Sequence, residues 1–351
     1  MAPTNLSLDY GALLSTTLFN YHKTLMDQIS KSNAVLSMLM KQGFYETLES
    51  IGERAAIPLM YAMGTPHFYA GYDELDTTPI EGITMAFAEW RQLHIPISIS
   101  GEEELKNSGE AQAISLLDAK VKQAEMGIKD LMDRTIMQGN GPNVAAQIDV
   151  PYLDPLTGRS GVAPLPQLVD FTPATGAVQG IDPATDTWWR NQTVTDNSTT
   201  FAGFLANLDI LYNNCSKGPG GSPDFHITDQ HSFQLYVAAL RVQNRFTDYK
   251  KADIPFTSVT FHGEPIAWSE YTPDVAGSTI VQSATSGTWY MLNSQFMRFK
   301  VHARRNWNQT EWKTPVRQDA KVAFIYWMGQ LMISNRRKHG VMGSIESTIT
   351  S

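Results

Sequence analysis

The chain has 351 residues, with 27 Lys plus Arg against 35 Asp plus Glu, so its formal charge of −8 excludes a general basic surface for nucleic acid phosphates. Charged residues are 18%, below the usual share of about 25%, and apolar residues 42%, which points to surface that ends against other subunits. A single cysteine, Cys215, excludes a disulfide framework, a multi-cysteine zinc site and CxxC redox chemistry.

The N-terminal Met1-Ala2-Pro3-Thr4-Asn5-Leu6 lacks the basic-then-apolar pattern of an export signal, so a reducing compartment is expected. From 11 to 43 the residues Leu14, Leu18, Tyr21, Leu25 and Ile29, then Leu36, Leu39 and Met40, keep helical spacing up to Gly43. One or two amphipathic helices are predicted. Between 44 and 100, Pro58, Pro66, Pro79 and Pro96 exclude a long helix, and 87–90 and 95–100 read as edge strands. Two extended arms joined at a polar tip over 71–79 are predicted.

The clearest periodicity is Ile114, Leu117, Val121, Ala124, Ile128, Leu131 and Thr135, spaced by threes and fours. With Ser100-Gly101-Glu102-Glu103 as a capping box, Asn107-Ser108 as a second candidate N-cap and Gly139 as the stop, it predicts one helix of about 30 to 38 residues, roughly 45 to 57 Å long. Its acidic start, Glu102-Glu103-Glu104, faces the positive end of the dipole. From 139 to 200 come seven prolines and only two basic residues, Arg159 and Arg190, which predicts loops and short strands leading into a second domain. Helices are predicted over 199–214 and 232–243, separated by a glycine-rich break at 217–222. Strands are predicted over 258–261, 289–292, 296–303 and 321–333. The class is α+β, with long helices beside a mainly antiparallel sheet. No apolar stretch is long enough to span a bilayer as a helix, since 55–72 is broken by Pro58, Gly64, Pro66 and Gly71 and 322–335 is too short.

Chemistry-bearing patterns are weak. Asp76-Thr77-Thr78 lacks the glycine of an aspartic protease triplet, and the 217–222 turn lacks the Gly-Lys-Ser/Thr of a phosphate loop. His226 and His231 have no ligand partners at zinc spacing and read as surface or packing residues. No catalytic residue, cofactor or metal is expected, and no enzyme activity. Arg336-Arg337-Lys338-His339 reads as a solvated turn or an inter-subunit salt bridge. Arg304, Arg305 and Lys313, with Trp307 and Trp312 flanking a tight hairpin tip, read as a protein-contact surface.

The order of these parts carries a resemblance. Gly71-Tyr72-Asp73-Glu74-Leu75-Asp76, Trp90-Arg91-Gln92, Ile99-Ser100-Gly101-Glu102 and Asn107-Ser108-Gly109-Glu110 precede the long helix; Trp289-Tyr290-Met291-Leu292-Asn293, Gln318-Asp319-Ala320 and the 332–341 segment follow it. In this arrangement the chain resembles the major capsid proteins of tailed bacteriophages with the HK97-type fold. The resemblance implies an N-arm at 1–43, an E-loop at 44–100, a peripheral domain at 101–164 and 293–328, and an axial domain at 165–292 and 329–351. It also implies hexamers and pentamers closing an icosahedral shell around double-stranded DNA without specific binding, no membrane partner, assembly in the bacterial host cytoplasm, and a place in the virion. Met1-Ala2 reads as a translation start, so a separate scaffolding protein or none is expected, together with a portal and, as an option, decoration proteins. Ile57, Leu59, Met60, Tyr61, Phe68 and Tyr69 are candidates for a core shared between subunits, and Tyr72, Asp73, Glu74 and Asp76 for contacts with Arg304, Arg305, Trp307, Trp312 and Lys313 of a neighbour. A non-viral shell, a phage tail component and an enzyme are the alternatives.

Overall fold

The computed structural model describes residues 45–49, 52–75, 78–106, 116–139, 154, 157–243, 259–272, 286–315 and 317–346. The helices expected within 1–43, and Asp76, lie outside them. The first elements are strands β1 (Tyr45–Leu48), β2 (Arg54–Met60), β3 (Ile83–Glu89) and β4 (Arg91–Ser100), then helices α1 (Gly101–Lys106), α2 (Leu116–Gln138) and α3 (Leu165–Leu168). Strand β5 (Gln192–Thr195), helix α4 (Phe201–Ser216), strand β6 (Phe225–Thr228) and helix α5 (Gln230–Gln243) follow. Strands β7 (Thr260–Phe261), β8 (Glu264–Trp268), β9 (Ser286–Leu292), β10 (Met297–Gln309), β11 (Ala320–Ile333) and β12 (Gly340–Glu346) complete the α+β chain.

The described residues fall into two compact units. One contains Gln92–Met132 and Arg304–Met328. Its core joins Ile97 of β4, Ala124 and Ile128 of α2, and Ile325 of β11, with Leu93, Ile95, Val121, Trp307 and Trp312 packed around them. The period-two spacing on β4 and the three-to-four spacing on α2 are what put these side chains on one face each. Ser100 and Glu103 form the expected reciprocal capping box, each backbone N–H donating to the other's side chain at 3.2 Å. Lys120 of α2 donates to Glu103 at 2.7 Å and to the Ser98 carbonyl at 2.9 Å. That ammonium holds the Glu103 carboxyl below its ordinary pKa. Gly101 opens α1 because its N–H reaches the Asp319 carbonyl at 3.0 Å, and a Cβ there would stand 2.5 Å from the Asp319 carboxylate. Of the predicted single helix, the described residues show a 6-residue α1 and a 23-residue α2 of about 35 Å, and 107–115 lie outside them.

The other unit contains Ala34–Arg91, Asp133–Ala303 and Gly329–Ser351. Its six-stranded sheet has the order β5-β12-β9-β6-β8-β7. Three of its five pairings are antiparallel, β12 with β9, β6 with β9 and β7 with β8, while β5 with β12 and β6 with β8 pair in parallel. Helices α4 and α5 lie on it through Phe204, Leu208, Leu211, Cys215, Leu235 and Tyr236, which meet Trp289, Met291, Met342 and Ile345. Thr200 caps α4, its hydroxyl accepting from Gly203 N–H at 3.2 Å. Gly340 lets β12 pass under α4, because a Cβ there would stand 2.6 Å from Cys215 Sγ and from Leu211 Cδ1. Strand β12, absent from the sequence prediction, lies inside this sheet between β5 and β9.

The basic segment is a correction. Arg336, Lys338 and His339 are buried and only Arg337 is exposed, so this is an internal brace rather than a solvated turn. Arg336 donates to the Leu168 carbonyl at 2.8 Å, the Trp189 carbonyl at 3.0 Å and Asn191 Oδ1 at 3.0 Å. Its three donated bonds explain how a guanidinium is tolerated there; burial lowers its pKa to about 10. Burial likewise raises the Cys215 thiol to about 12. His226, half of the pair read as surface or packing residues, is a packing residue in an aromatic setting, its ring 5.3 Å from Phe261.

Candidate functional site

Strands β2 and β3 form an antiparallel ribbon of seven facing pairs, from Arg54 opposite Glu89 to Met60 opposite Ile83. Alternation gives the ribbon two unlike faces. On one, Leu59 and Ala86 pack with Ile181 and Trp189, and Ile57 and Trp188 adjoin them. Tyr61 stacks on Trp188 with ring centroids 5.1 Å apart, Trp189 Nε1 donates to the Val178 carbonyl at 3.0 Å, and Phe87 N–H donates to the Gln179 carbonyl at 3.0 Å. This face roots the arm on its own unit.

The opposite face carries Ala56, Pro58 and Met60 beside Phe87, Met85 and Ile83. Met60, Ile83 and Met85 are 74%, 78% and 54% exposed. Beyond the ribbon, residues 61–82 form no helix or strand among those described, and Met63, Phe68, Tyr69, Tyr72, Leu75 and Ile80 are exposed there. Asp73 closes a turn by accepting from Ala70 N–H at 2.7 Å while donating its own N–H to the Ala70 carbonyl at 2.9 Å. Covering a side chain of this size is worth about 1.5–3 kcal/mol, and soluble monomers rarely leave so many together in water. The tip predicted as polar therefore carries aromatic and aliphatic side chains among its acids.

The predicted contact residues separate into two groups. Tyr72, Asp73 and Glu74 are exposed at the arm's tip, and Asp76 lies outside the described residues. Arg304, Arg305 and Lys313 are exposed in the other unit. Arg305 donates to Gln92 Oε1 at 2.5 Å and lies 5.3 Å over the Tyr326 ring. Trp307 and Trp312 are half-buried against the α2 core, so they are packing residues of their own unit as well as contact candidates. Of the expected shared core, Ile57 and Leu59 are already covered within the chain, whereas Met60, Phe68 and Tyr69 are exposed. Sequence reasoning did not name Ile83 and Met85, although the large-small alternation Ile83-Thr84-Met85-Ala86-Phe87-Ala88 carried that signal. Among the described residues, no three His, Cys, Asp or Glu side chains come together to hold a metal, and no helix is long and apolar enough to cross a membrane.

No protein-family model and no curated protein matches the sequence. Solved structures do match in fold. The capsid asymmetric unit of cyanophage A-1(L) superposes with a TM-score of 0.62 at 13% identity, covering 94% of this chain and 97% of that one. This chain has the HK97-type capsid fold. The capsid of Myoviridae phage XM1 shares the HK97-type fold with a TM-score of 0.56 at 10% identity over 93% of this chain and 97% of its own. The holo-SrpI encapsulin complex from Synechococcus elongatus gives 0.54 at 8% identity, covering 99% and 98%.

Proposed function

We propose that this protein is a major capsid protein, the repeating subunit of a closed icosahedral shell built from hexamers and pentamers around phage double-stranded DNA. The observation that carries the reading is the arm whose second face and tip stay apolar and uncovered within the chain, on a fold shared with capsid subunits. In this reading 44–100 is the E-loop, 1–43 the N-arm, 101–164 with 293–328 the peripheral domain, and 165–292 with 329–351 the axial domain. The arm is covered by an adjoining copy, and Asp73, Glu74 and Asp76 set its register against Arg304, Arg305 and Lys313. Exposed pairs of that kind contribute only about 0.2 to 1 kcal/mol each, so they orient a joint whose stability comes from apolar contact. The net charge of −8 suits a wall that DNA does not stick to. A scaffolding protein, a portal and decoration proteins are the partners this reading brings, with assembly in the host cytoplasm and residence in the virion.

A shell without a phage genome is the second reading, favoured by the likeness to the encapsulin complex over nearly the whole chain. Electron microscopy of the protein expressed alone and with the neighbouring genes of its source, combined with nuclease-protected DNA content, tests both. Closed shells that protect DNA support the first, closed shells that never contain it support the second, and discrete small oligomers alone overturn both.

A further inference from the structure

The described methionines are segregated by exposure. Met132, Met137, Met291, Met297, Met332 and Met342 are buried, Met126 and Met328 half-buried, and the exposed ones, Met60, Met63 and Met85, all stand on the arm, at 74%, 77% and 54%. Met60 and Met85 share the uncovered ribbon face, facing Ile83 and Pro58 across the register. A thioether reacts with peroxides in proportion to its access, and among the described methionines these are the accessible ones.

We infer that Met60, Met63 and Met85 are a modification site: peroxide oxidation of the free subunit converts them to sulfoxides and blocks assembly, whereas the closed shell shields them. The inference rests on the capsid reading, because it needs the arm to be covered by another copy. In each step the sulfur lone pair attacks one peroxide oxygen, the O–O bond breaks and an S–O bond forms. Sulfur is oxidised by two electrons, and hydrogen peroxide is reduced to water, with its protons retained in that water. The product carries a strong acceptor oxygen in place of an apolar, flexible contact. Covering the face then desolvates that oxygen beside Ile83, Pro58 and Phe87, whose side chains offer it no donor. Hydrogen peroxide is the oxidant, and sulfoxide reductases acting on both epimers restore the thioether.

The test treats unassembled full-length protein and finished shells with dilute hydrogen peroxide, maps oxidation by peptide mass spectrometry, and then scores assembly by sedimentation and microscopy. The free protein should gain oxygen at Met60, Met63 and Met85 before Met126 or Met328, lose most of its shell yield, and regain it after treatment with the two reductases; finished shells should stay unmodified at these positions. Met60→Leu, Met63→Leu and Met85→Leu combined should assemble with or without peroxide. Full shell yield from protein oxidised at all three positions, or equal oxidation of free and assembled protein there, overturns the inference while leaving the capsid reading intact. Untreated protein that forms no shell even when expressed with the neighbouring genes of its source overturns the capsid reading and this inference with it. Should the triple variant not fold, reductase rescue of the wild-type chain decides the matter, and absence of rescue with all three thioethers restored counts against it.

Discussion

Lys338 donates its ammonium to the carbonyl of Gly218 at 3.0 Å, across 120 residues of sequence. The Lys217 and Gly221 carbonyls, each at 3.1 Å, and that of Ser216, at 3.4 Å, complete the cradle. The glycine-rich turn after α4, which is no phosphate loop, thus folds its carbonyls onto a cation from its own chain, and positive φ at Gly218, Gly220 and Gly221 makes the turn possible. Burial lowers the Lys338 pKa.

Removing that cation should be costly. Lys338→Met leaves the carbonyls without their donor, and a loss of about 2–3 kcal/mol is expected from hydrogen bonds to a charged group. Arg336→Met should lose at least as much, while Arg337→Met, on the exposed side of the same turn, should stay within about 0.5 kcal/mol. Guanidinium denaturation of the three variants under conditions that prevent assembly checks the contrast.

Acid should weaken the second unit through two histidines. Burial holds both His226 and His339 near pKa 3, against an ordinary 6.5, and the Arg336 charge contributes at His339. The unfolded chain therefore binds protons that the folded chain refuses between pH 6.5 and 3. Stability is complete above 6.5, falls as pH drops through that window on the order of 1.4 kcal/mol per unit for each histidine, and levels below it. His226→Phe, with its ring beside Phe261, should remove one histidine's share of the slope, measured as denaturation midpoint against pH.

The apolar tip predicts a separation of folding from assembly. Phe68 and Tyr72 are fully exposed, so Phe68→Ser with Tyr72→Ser should change unfolding free energy by less than about 0.5 kcal/mol yet abolish shells. Glu74→Lys, which disturbs register alone, should lower yield less. Asp73→Lys is a poorer probe because it also opens the Ala70 turn. Normal particle yield from the Phe68 and Tyr72 double variant would remove the arm from the assembly account.

The arm was legible because its information is local: prolines forbid helix and the sequence joins two extended stretches at a tip over 71–79, although of β2 and β3 only the end at 87–89 was read as strand. Ser100 and Glu103 were legible for the same reason, lying three residues apart. The basic segment was not. Arg336 and Lys338 are buried by Leu168, Trp189, Asn191 and the 216–221 turn, more than a hundred residues away, and four adjacent basic-type residues look solvated to any local rule. The packing of Trp307 was hidden likewise, since its φ of 56° belongs to a conformation rare for aromatics and its ring packs on α2 residues far back in the chain. Strand β12 hid behind Gly340 and Gly343, which weaken a strand pattern while allowing the contact with α4.

The shell should not be welded covalently through the arm. Some HK97-type relatives are joined by an isopeptide bond, formed when an E-loop lysine amine attacks a neighbour's asparagine carboxamide. That step needs a primary amine that can lose its proton in a buried site. Between Lys41 and Lys106 the sequence contains no lysine, and Arg54 and Arg91 are its basic residues besides histidine. A guanidinium offers no primary amine for that step; Arg54 lies 5.2 Å over the Phe87 ring and Arg91 pairs with Glu89 at 3.1 Å. Cohesion then depends on apolar cover of the arm and on charge register, both reversible. Boiled particles on a denaturing gel should run as one band near 39.0 kDa, and a reductant-resistant ladder of dimers to hexamers would contradict the argument. Introducing lysine at an arm position such as Thr65→Lys should not produce that ladder by itself, because the bond also needs a carboxamide and a carboxylate placed around the amine by the neighbour.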